Sequence, residues 1–244
     1  MENLLKVLKE FSKEDIEKLE SFDRQYKALE KLHKEIKNPQ DFLKLVVINA
    51  LMSYQLQMKG EKYWETFSEF FSESPEIERF EEFIKTNNKR FLNAKLKRLH
   101  KVIKCVKKLF SNYSLTDLGK DLTILVKELS KCLNQKIDSK TVVFAAKMFM
   151  YGYRIAFGKN PEKLEEIAIP IDSRLSKISS DKNFWKKLSE KSRIPQIRLD
   201  AVLWIPMGLE ESSLKELPEK LKFKLRRITE LVKKKNSSCN SLRK

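Results

Sequence analysis

The chain has 244 residues, enough for one large domain or two smaller ones, and its 41% hydrophobic content can fill a sizeable core. Glycine accounts for only 5 residues where usage near 7% would give about 17, which argues against β-sandwiches, Gly-rich phosphate loops and dinucleotide-binding folds and favours an all-helical protein. The net charge of +17 favours a polyanionic partner, nucleic acid before an anionic membrane, over a solvated Lys/Glu surface of the kind found in thermophiles.

The first half of the chain shows the apolar periodicity of helices. One predicted helix opens with a capping-box pattern, Ser-Lys-Glu-Asp, and the next opens with Asn-Pro, a pair that suits the first turn of a helix. The last of this group is strongly basic, and Lys95 and Arg98 belong to a row of cations opposite its apolar face. The predicted ranges are 12–36, 38–56, 63–71, 75–85 and 89–110.

The second half of the chain is also predicted to be helical. A Ser-to-Asp cap starts a helix over 114–133, and after a short hairpin an Asp-Ser pair caps a strongly apolar helix that ends at Gly158. A short helical turn is expected toward Ile178, and two further helices carry Trp185 and Trp204. We find no internal repeat, long linker or clear strand pattern.

Several kinds of site are not expected. Cys105, Cys132 and Cys239 are odd in number and lack a CxxC spacing, so we expect neither a disulfide framework nor a four-thiolate cluster. The two histidines have no other ligand type at metal-binding spacing, so we expect no metal site. The longest uncharged run, 45–58, is too short and polar to span a bilayer, and the first residues lack a signal pattern, so the sequence predicts a cytoplasmic protein.

The most informative helix begins at Lys140. It is apolar on all sides apart from two lysines and a threonine, and Lys140, Phe144, Lys147 and Tyr151 share one stripe along it. One interpretation is a core helix whose lysines extend to solvent, and the other is a helix whose amine-bearing stripe lines a cleft. Periodicity alone favours the first interpretation.

This region resembles the DNA glycosylases of the helix-hairpin-helix superfamily, in which a lysine opens the second helix and an aspartate follows a proline farther along. Here Lys140 follows a short hairpin and Asp172 comes after Pro170. The hairpin 134–139 has no glycine, the lysine and the aspartate are 32 residues apart, and no four-cysteine cluster follows. With these departures the chain resembles one branch, the archaeal GO glycosylases, which excise 8-oxoguanine. The matching segments are 60–64, 140–147, 169–174 and 200–204.

The resemblance implies an all-α, helix-hairpin-helix glycosylase-like fold in which two helical subdomains flank an active-site cleft. It implies one helical unit over 1–235, with the hairpin and catalytic helix at about 119–158. The segment 236–244 lacks apolar periodicity and is expected to be a frayed tail. The implied activity is bifunctional, with excision of 8-oxoguanine from double-stranded DNA followed by cleavage at the abasic site. The resemblance implies no metal and no organic cofactor for this activity, and we expect a monomer with no membrane partner.

The implied catalytic residues are Lys140 as the nucleophile and Asp172 as its acidic partner. Lyase chemistry needs an amine that forms a Schiff base with C1′ of the sugar, and the apolar neighbours Val142 and Val143 would favour the neutral, nucleophilic amine. An ionised Asp172 would stabilise the oxocarbenium-like sugar and help to move the amine proton. The alternative for Asp172 is a helix N-cap, and the two roles can coexist.

A base flipped out of the duplex needs a stacking surface and polar groups that read its edge. Phe144 lies on the Lys140 stripe and suits one face of the base, and the resemblance implies Trp204 for the other. Asp200, one helical turn before Trp204, would accept hydrogen bonds from base N–H groups. The other positions that match family pocket residues are Gln25, Trp64 and Lys147. The alternatives are a core position for Trp64 and a solvent-facing position for Lys147.

Two other functions remain open. A glycosylase for another damaged base would share the catalytic residues but differ in the pocket, and a non-catalytic helical DNA-binding protein would explain the charge without needing lysines on an apolar helix. Phosphate contacts are expected from the hairpin backbone and the start of the Lys140 helix, with Lys136, Arg174 and Lys177 as candidates by position.

Overall fold

The computed structural model describes the backbone of residues 2–207 and 216–241, with side chains described over 2–206 and 216–232. Over these residues the chain forms α-helices and short 3-10 turns and contains no β-strand. The prediction of an all-α protein is therefore confirmed.

The chain folds as two compact units. Residues Arg24–Ile167 form one, here called the middle unit, and Met1–Asp23 together with Ala168–Lys244 form the other, the terminal unit. The α-helices of the described residues are, in chain order, α1 (Glu2–Leu8), α2 (Lys13–Glu20), α3 (Arg24–Glu35), α4 (Pro39–Met52), α5 (Gly60–Glu73), α6 (Phe80–Asn87), α7 (Leu92–Asn112), α8 (Leu115–Lys120), α9 (Leu122–Leu133), α10 (Lys140–Phe157), α11 (Lys182–Ser192), α12 (Gln196–Trp204) and α13 (Glu219–Ser241). The 3-10 turns are Ile77–Arg79, Leu164–Glu166, Leu175–Lys177 and Ile205–Met207.

The capping box at the start of α2 is confirmed. The Ser12 hydroxyl accepts the backbone N–H of Asp15 at 3.1 Å, and the Asp15 carboxylate accepts the Ser12 N–H at 3.0 Å. The single helix predicted over 12–36 is wrong, however, because α2 ends at Glu20 and α3 begins at Arg24. This break coincides with the border between the two units, which helical periodicity does not reveal.

The helix predicted over 114–133 is also two helices, α8 and α9. They are separated at Asp121, whose carboxylate accepts the backbone N–H of Thr123 at 2.9 Å and so caps α9. The same carboxylate forms an ion pair with Lys163 at 2.5 Å, and these contacts lower the pKa of Asp121 to about 2 against the opposing effect of burial. An aspartate inside an apparently continuous helical pattern therefore ends one helix and starts the next.

Helices α4 and α10 form the centre of the middle unit. Leu45–Met52 is buried throughout, and Val142–Tyr153 is buried apart from Phe144, as expected for helices that are apolar on all sides. The two helices pack closely at Gly152, where a Cβ atom would lie 2.8 Å from Leu43 Cδ2. A side chain at this crossing would therefore displace the end of the Leu43 side chain.

The terminal unit has an apolar core formed by α1, α2, α11, α12 and α13. Trp185 is fully buried in it, and its indole N–H donates to the Ser179 carbonyl at 2.9 Å. Arg198 of α12 forms a buried bidentate ion pair with Glu20 of α2, with Nε–Oε1 and Nη2–Oε2 distances of 3.0 and 2.9 Å. Helix α13 continues to Ser241, into the segment 236–244 for which a frayed tail is expected.

A disulfide joins Cys105 of α7 to Cys132 of α9, with their Cα atoms 5.8 Å apart. The cysteine pattern, which argued against a disulfide framework, did not predict this single bond, because cysteine counting and CxxC spacing cannot detect two residues on separate helices that pack side by side. The bond closes a loop of 27 residues that ends just before the hairpin leading to Lys140.

Candidate active site

The hairpin before Lys140 is formed without glycine. Helix α9 ends in Asn134, whose φ of 54° and ψ of 52° lie in the left-handed region that usually favours glycine, and asparagine tolerates this region better than most residues. The backbone N–H of Gln135 then donates to the Ser130 carbonyl at 2.9 Å, which closes the helix end. The absence of glycine from 134–139 is therefore compatible with a tight turn.

Lys140 is the first residue of α10 and its side chain is exposed. Val142 and Val143, which were expected to surround its amine with apolar atoms, are themselves buried, so they lie on other sides of the helix. The expectation that the protein alone buries this amine was wrong. An exposed amine at the start of a helix is accessible to a large substrate.

The rest of the stripe becomes more buried along α10. Phe144 is half-buried, while Lys147 and Tyr151 are 2% and 0% exposed. The Lys147 ammonium lies 5.4 Å from the centroid of the Tyr151 ring, and that ring packs edge-on against Tyr26 of α3 at 5.2 Å. The solvent-facing alternative for Lys147 is therefore wrong.

Two of the other pocket candidates lie close to this stripe. Trp64 of α5 packs edge-on against Phe144 with ring centroids 6.2 Å apart, and it is buried as a core tryptophan would be. Gln25 of α3 is also buried, and a Cβ atom on Gly60 would lie 3.7 Å from its Nε2, which places it beside the first turn of α5. The middle unit thus places Trp64 against Phe144 and Gln25 beside the helix that carries Trp64, while Lys147 lies one turn after Phe144 on α10.

The remaining site candidates belong to the terminal unit. Asp172 Oδ1 accepts the backbone N–H groups of Arg174 and Leu175 at 2.9 and 2.8 Å, so the capping role predicted as its alternative is present. Its Oδ2 accepts the indole N–H of Trp204 at 2.9 Å, a contact that the sequence did not suggest. Three donors therefore fix this carboxylate in one orientation.

Helix α12 carries the other two candidates. Asp200 is buried, and Trp204 is the half-buried last residue of the helix. The Arg174 guanidinium lies 4.3 Å from the centroid of the Trp204 ring. Trp204 was expected to stack on a base, and its ring is already held by a cation and by the hydrogen bond to Asp172.

The basic helix α7 differs from its prediction at one position. Lys95 was placed on the solvent face, yet it is fully buried, and its ammonium donates to the carbonyl oxygens of Gln55 and Asn88 at 3.2 and 3.3 Å and to the Asn88 side-chain oxygen. Burial, with a smaller effect from the charge of Arg90, lowers the pKa of Lys95 to about 8. Helical periodicity did not predict this buried cation because it places lysines on the solvent-exposed face of a helix.

The described residues, 2–207 and 216–241, lack two kinds of feature. No helix there is both long enough and apolar enough to cross a bilayer. No group of three or more histidine, cysteine, aspartate or glutamate side chains in the same part of the chain has an arrangement suited to a metal ion.

The chain is similar to a group of archaeal enzymes. A family model described as AGOG, N-glycosylase/DNA lyase, matches residues 5–238. Two relatives named N-glycosylase/DNA lyase are 39% identical over 202 residues (Nanoarchaeum equitans; 82% of this chain and 88% of the relative) and 36% identical over 231 residues (Methanococcus maripaludis; 87% and 90%). A solved structure, 8-oxoguanosine complexed Pa-AGOG, an 8-oxoguanine DNA glycosylase from Pyrobaculum aerophilum, matches with a TM-score of 0.71 at 25% identity, over 93% of this chain and 95% of that one.

Proposed function

Because this chain belongs to the AGOG family of N-glycosylase/DNA lyases, we propose that it excises 8-oxoguanine from DNA and then cleaves the strand at the abasic site. The family match over residues 5–238 is the observation that carries this proposal. The similarity to a glycosylase solved with 8-oxoguanosine supports the choice of base.

Lys140 is the nucleophile in this proposal. The lone pair of its neutral amine forms a bond to C1′ as the bond from C1′ to the base breaks and the base leaves with that electron pair and a proton. Opening of the sugar ring gives the Schiff base, loss of a C2′ proton then expels the 3′ phosphate, and water later releases the lysine. Its exposed position at the start of α10 supports this role because the DNA backbone can approach it. Contact with DNA would supply the desolvation that the free protein does not.

Asp172 acts beside this reaction as a fixed carboxylate. Its charge would stabilise the developing oxocarbenium ion and its oxygens would help to pass the amine proton. The hydrogen bonds from Arg174, Leu175 and Trp204 support this role because a carboxylate that is already oriented needs little rearrangement during the reaction. The Asp172 carboxylate then serves both as a cap and in catalysis.

The flipped base would be read by the two groups of side chains described above. In the middle unit, Phe144 offers a stacking face, the Trp64 indole N–H and the Gln25 amide offer hydrogen bonds, and Lys147 offers a positive charge. 8-Oxoguanine differs from guanine in its C8 carbonyl and N7 proton, so a donor to O8 or an acceptor for N7–H is the feature that discriminates. In the terminal unit, Asp200 and Trp204 complete the set of proposed contacts.

The DNA itself would be double-stranded and bound by one copy of the chain in the cytoplasm. The net charge of +17 supports binding to phosphates, and the backbone N–H groups of the hairpin 134–139 and of the first turn of α10 are suited to hold one. The exposed Lys136 and Lys177 and the half-buried Arg174 are further phosphate candidates. We propose no membrane partner for this chain.

Borohydride trapping tests the activity and the nucleophile together. The protein is incubated with an 8-oxoguanine duplex, an abasic duplex and an undamaged duplex, and covalent complexes are counted after reduction. We expect trapping on the first two, none on the third, and none at all with Lys140→Gln, while the control Lys131→Gln, which removes an exposed amine from α9, still traps. Trapping by Lys140→Gln would overturn the nucleophile assignment, and a wild type that traps only the abasic duplex would point to another damaged base.

A further inference from the structure

A half-buried arginine of α7, Arg98, joins three segments that meet at the start of α10. Its Nη2 donates to Gln135 Oε1 in the hairpin at 3.1 Å and to Thr141 Oγ1 in the first turn of α10 at 3.4 Å, and its Nε donates to the Leu51 carbonyl near the end of α4 at 3.4 Å. The Thr141 hydroxyl also donates to Gln135 Oε1 at 3.3 Å. Arg98, Gln135 and Thr141 therefore form a closed polar triangle, and Thr141 directly follows Lys140 in sequence.

Backbone hydrogen bonds also support the hairpin. The N–H groups of Gln135 and Ser139 donate to the carbonyl oxygens of Ser130 and Lys136, each at 2.9 Å. Ile137, the apolar residue within the hairpin, is 50% exposed and so contributes little packing, and the Ser139 hydroxyl makes no capping bond to α10. The polar triangle adds side-chain hydrogen bonds that link the hairpin to α7 and to the first turn of α10.

Helix α7, which carries Arg98, is fixed to its neighbours by a disulfide and by buried side chains. The disulfide from Cys105 to Cys132 ties α7 to α9, and the side chains of Val102 and Val106 are buried on the same helix. Burial lowers the pKa of the Arg98 guanidinium from its ordinary value, but an arginine keeps its proton at neutral pH, so the triangle retains a permanent positive charge.

We propose that Arg98 is a positioning residue for the lyase reaction, which holds the hairpin and the first turn of α10 so that the Lys140 amine lies in line with C1′. This rests on the proposed function, in which Lys140 is the nucleophile. A planar guanidinium donates to two acceptors in one fixed geometry, which a lysine cannot reproduce. In this proposal the hydrogen bonds of Arg98 fix the conformation of a hairpin that contains no glycine.

Two other roles for Arg98 make different predictions. If Arg98 were a phosphate ligand, its loss would weaken DNA binding, and Arg98→Lys would restore most of the affinity because a lysine still binds phosphate. If Arg98 were merely structural, its loss would lower the melting temperature without changing the rate of the folded enzyme at saturating DNA. A positioning residue lowers that saturating rate while affinity and stability stay nearly constant.

The first test measures borohydride trapping in single turnover with saturating abasic duplex, together with the DNA dissociation constant and the melting temperature. We expect Arg98→Met and Arg98→Lys each to lower the saturating rate by about 10- to 100-fold, because a misplacement of about 1 Å costs up to that much. Affinity should change by less than about threefold for both variants, whereas a phosphate ligand would lose affinity in Arg98→Met and recover most of it in Arg98→Lys. The control Lys101→Met removes an exposed cation from the same helix and should leave the saturating rate unchanged.

Substitutions at Thr141 provide an independent test if the Arg98 variants fail to fold. Thr141→Val keeps the shape but removes the hydroxyl, and we expect the saturating rate to fall by about three- to tenfold. Thr141→Ser keeps the hydroxyl and should restore the wild-type rate. A wild-type rate in Thr141→Val, an equal loss in Thr141→Ser, or a loss confined to affinity or melting temperature would each overturn the proposal.

Failure of this proposal differs from failure of the proposed function. If Lys140→Gln abolishes trapping and the Arg98 and Thr141 variants trap at the wild-type rate, Lys140 is the nucleophile and Arg98 does not position it. If Lys140→Gln still traps, the assignment of the nucleophile is wrong, and the positioning role falls with it.

Discussion

The indole Nε1 of Trp204 donates a 2.9 Å hydrogen bond to Oδ2 of Asp172, while the other carboxylate oxygen accepts two backbone N–H groups. Both oxygens are thus engaged before any substrate is bound. The sequence predicts base stacking for Trp204 and catalysis for Asp172. In the structure these two side chains form one hydrogen-bonded pair. A change in either one should therefore affect the other.

The first prediction concerns the carboxylate of Asp172. Asp172→Asn leaves one acceptor oxygen for donors on two sides, so the amide must turn an N–H toward another donor. We expect single-turnover excision of 8-oxoguanine to fall by about 100-fold or more, with DNA affinity changed by only a few-fold.

Asp181 provides the matched control for that substitution. It also caps a helix of the terminal unit, by accepting the backbone N–H of Asn183 at 2.9 Å, and it is exposed. Asp181→Asn should excise at the wild-type rate. Wild-type excision by Asp172→Asn as well would show that Asp172 serves only as a cap.

The second prediction concerns the disulfide between Cys105 and Cys132. Closing a loop of 27 residues restricts the unfolded chain, so Cys105→Ser should lower the free energy of unfolding by about 3–4 kcal/mol. Urea unfolding measures this loss, and reductant should lower the stability of the wild type to the same level. Cys239→Ser serves as the control, and equal stability of Cys105→Ser and the wild type would contradict the stabilising role.

The third prediction is a pH effect of Lys95. Its pKa of about 8 in the folded protein is below the ordinary value of 10.5, so between these pH values the unfolded chain binds more protons and folding becomes more favourable as pH rises. The cost of burying the charged amine is fully present below pH 8 and is relieved toward pH 10.5.

Urea unfolding at pH 7 and pH 9.5 tests this effect. We expect the free energy of unfolding of the wild type to rise by about 1–2 kcal/mol relative to that of Lys95→Met, which has no amine to titrate. Lys101→Met, in which an exposed lysine is removed, should change with pH as the wild type does. Parallel behaviour of the wild type and Lys95→Met would show that Lys95 does not titrate in this range.

The fourth prediction concerns the buried pair of Arg198 and Glu20. Arg198→Met leaves the Glu20 carboxylate buried without its bidentate partner, so we expect a loss of about 3–5 kcal/mol in the free energy of unfolding. The double variant with Glu20→Met should recover most of that loss because no charge is then left buried.

An exposed pair provides the control for this measurement. Lys85 and Glu81 form an ion pair at 2.7 Å on the surface of α6, and Lys85→Met should cost less than about 1 kcal/mol. A double variant no more stable than Arg198→Met would mean that the loss comes from packing of the arginine side chain and not from an unpaired charge.

Local patterns in the sequence were enough to predict most of the helices. The capping boxes at Ser12 and Ser114 are confirmed, and so is the end of α10 at Gly158, whose φ of 68° suits glycine. These features depend on residues within one helical turn of each other, so the sequence contains all the information they need. The break before Arg24 depends on how the chain divides into units and was missed.

Features that depend on contacts between helices were not predictable in this way. Lys95 is buried because carbonyl groups of two other segments surround its amine, and Cys105 is bonded because α9 packs beside α7. The partners of Asp172 and Arg98 were missed for the same reason. The site residues themselves were predicted through resemblance to a family, and the spacing of residues alone favoured a plain core helix for the Lys140 stripe.

The left-handed turn at Asn134 also bears on how this chain would behave at high temperature. A glycine there would adopt the same turn without strain, but it would give the unfolded chain more conformations to lose on folding. An asparagine accepts a small steric cost in the folded state and leaves the unfolded hairpin with less freedom. How well the hairpin next to Lys140 resists heating therefore depends on the difference between two opposing effects, the smaller entropy of the unfolded asparagine and the steric cost of its positive φ.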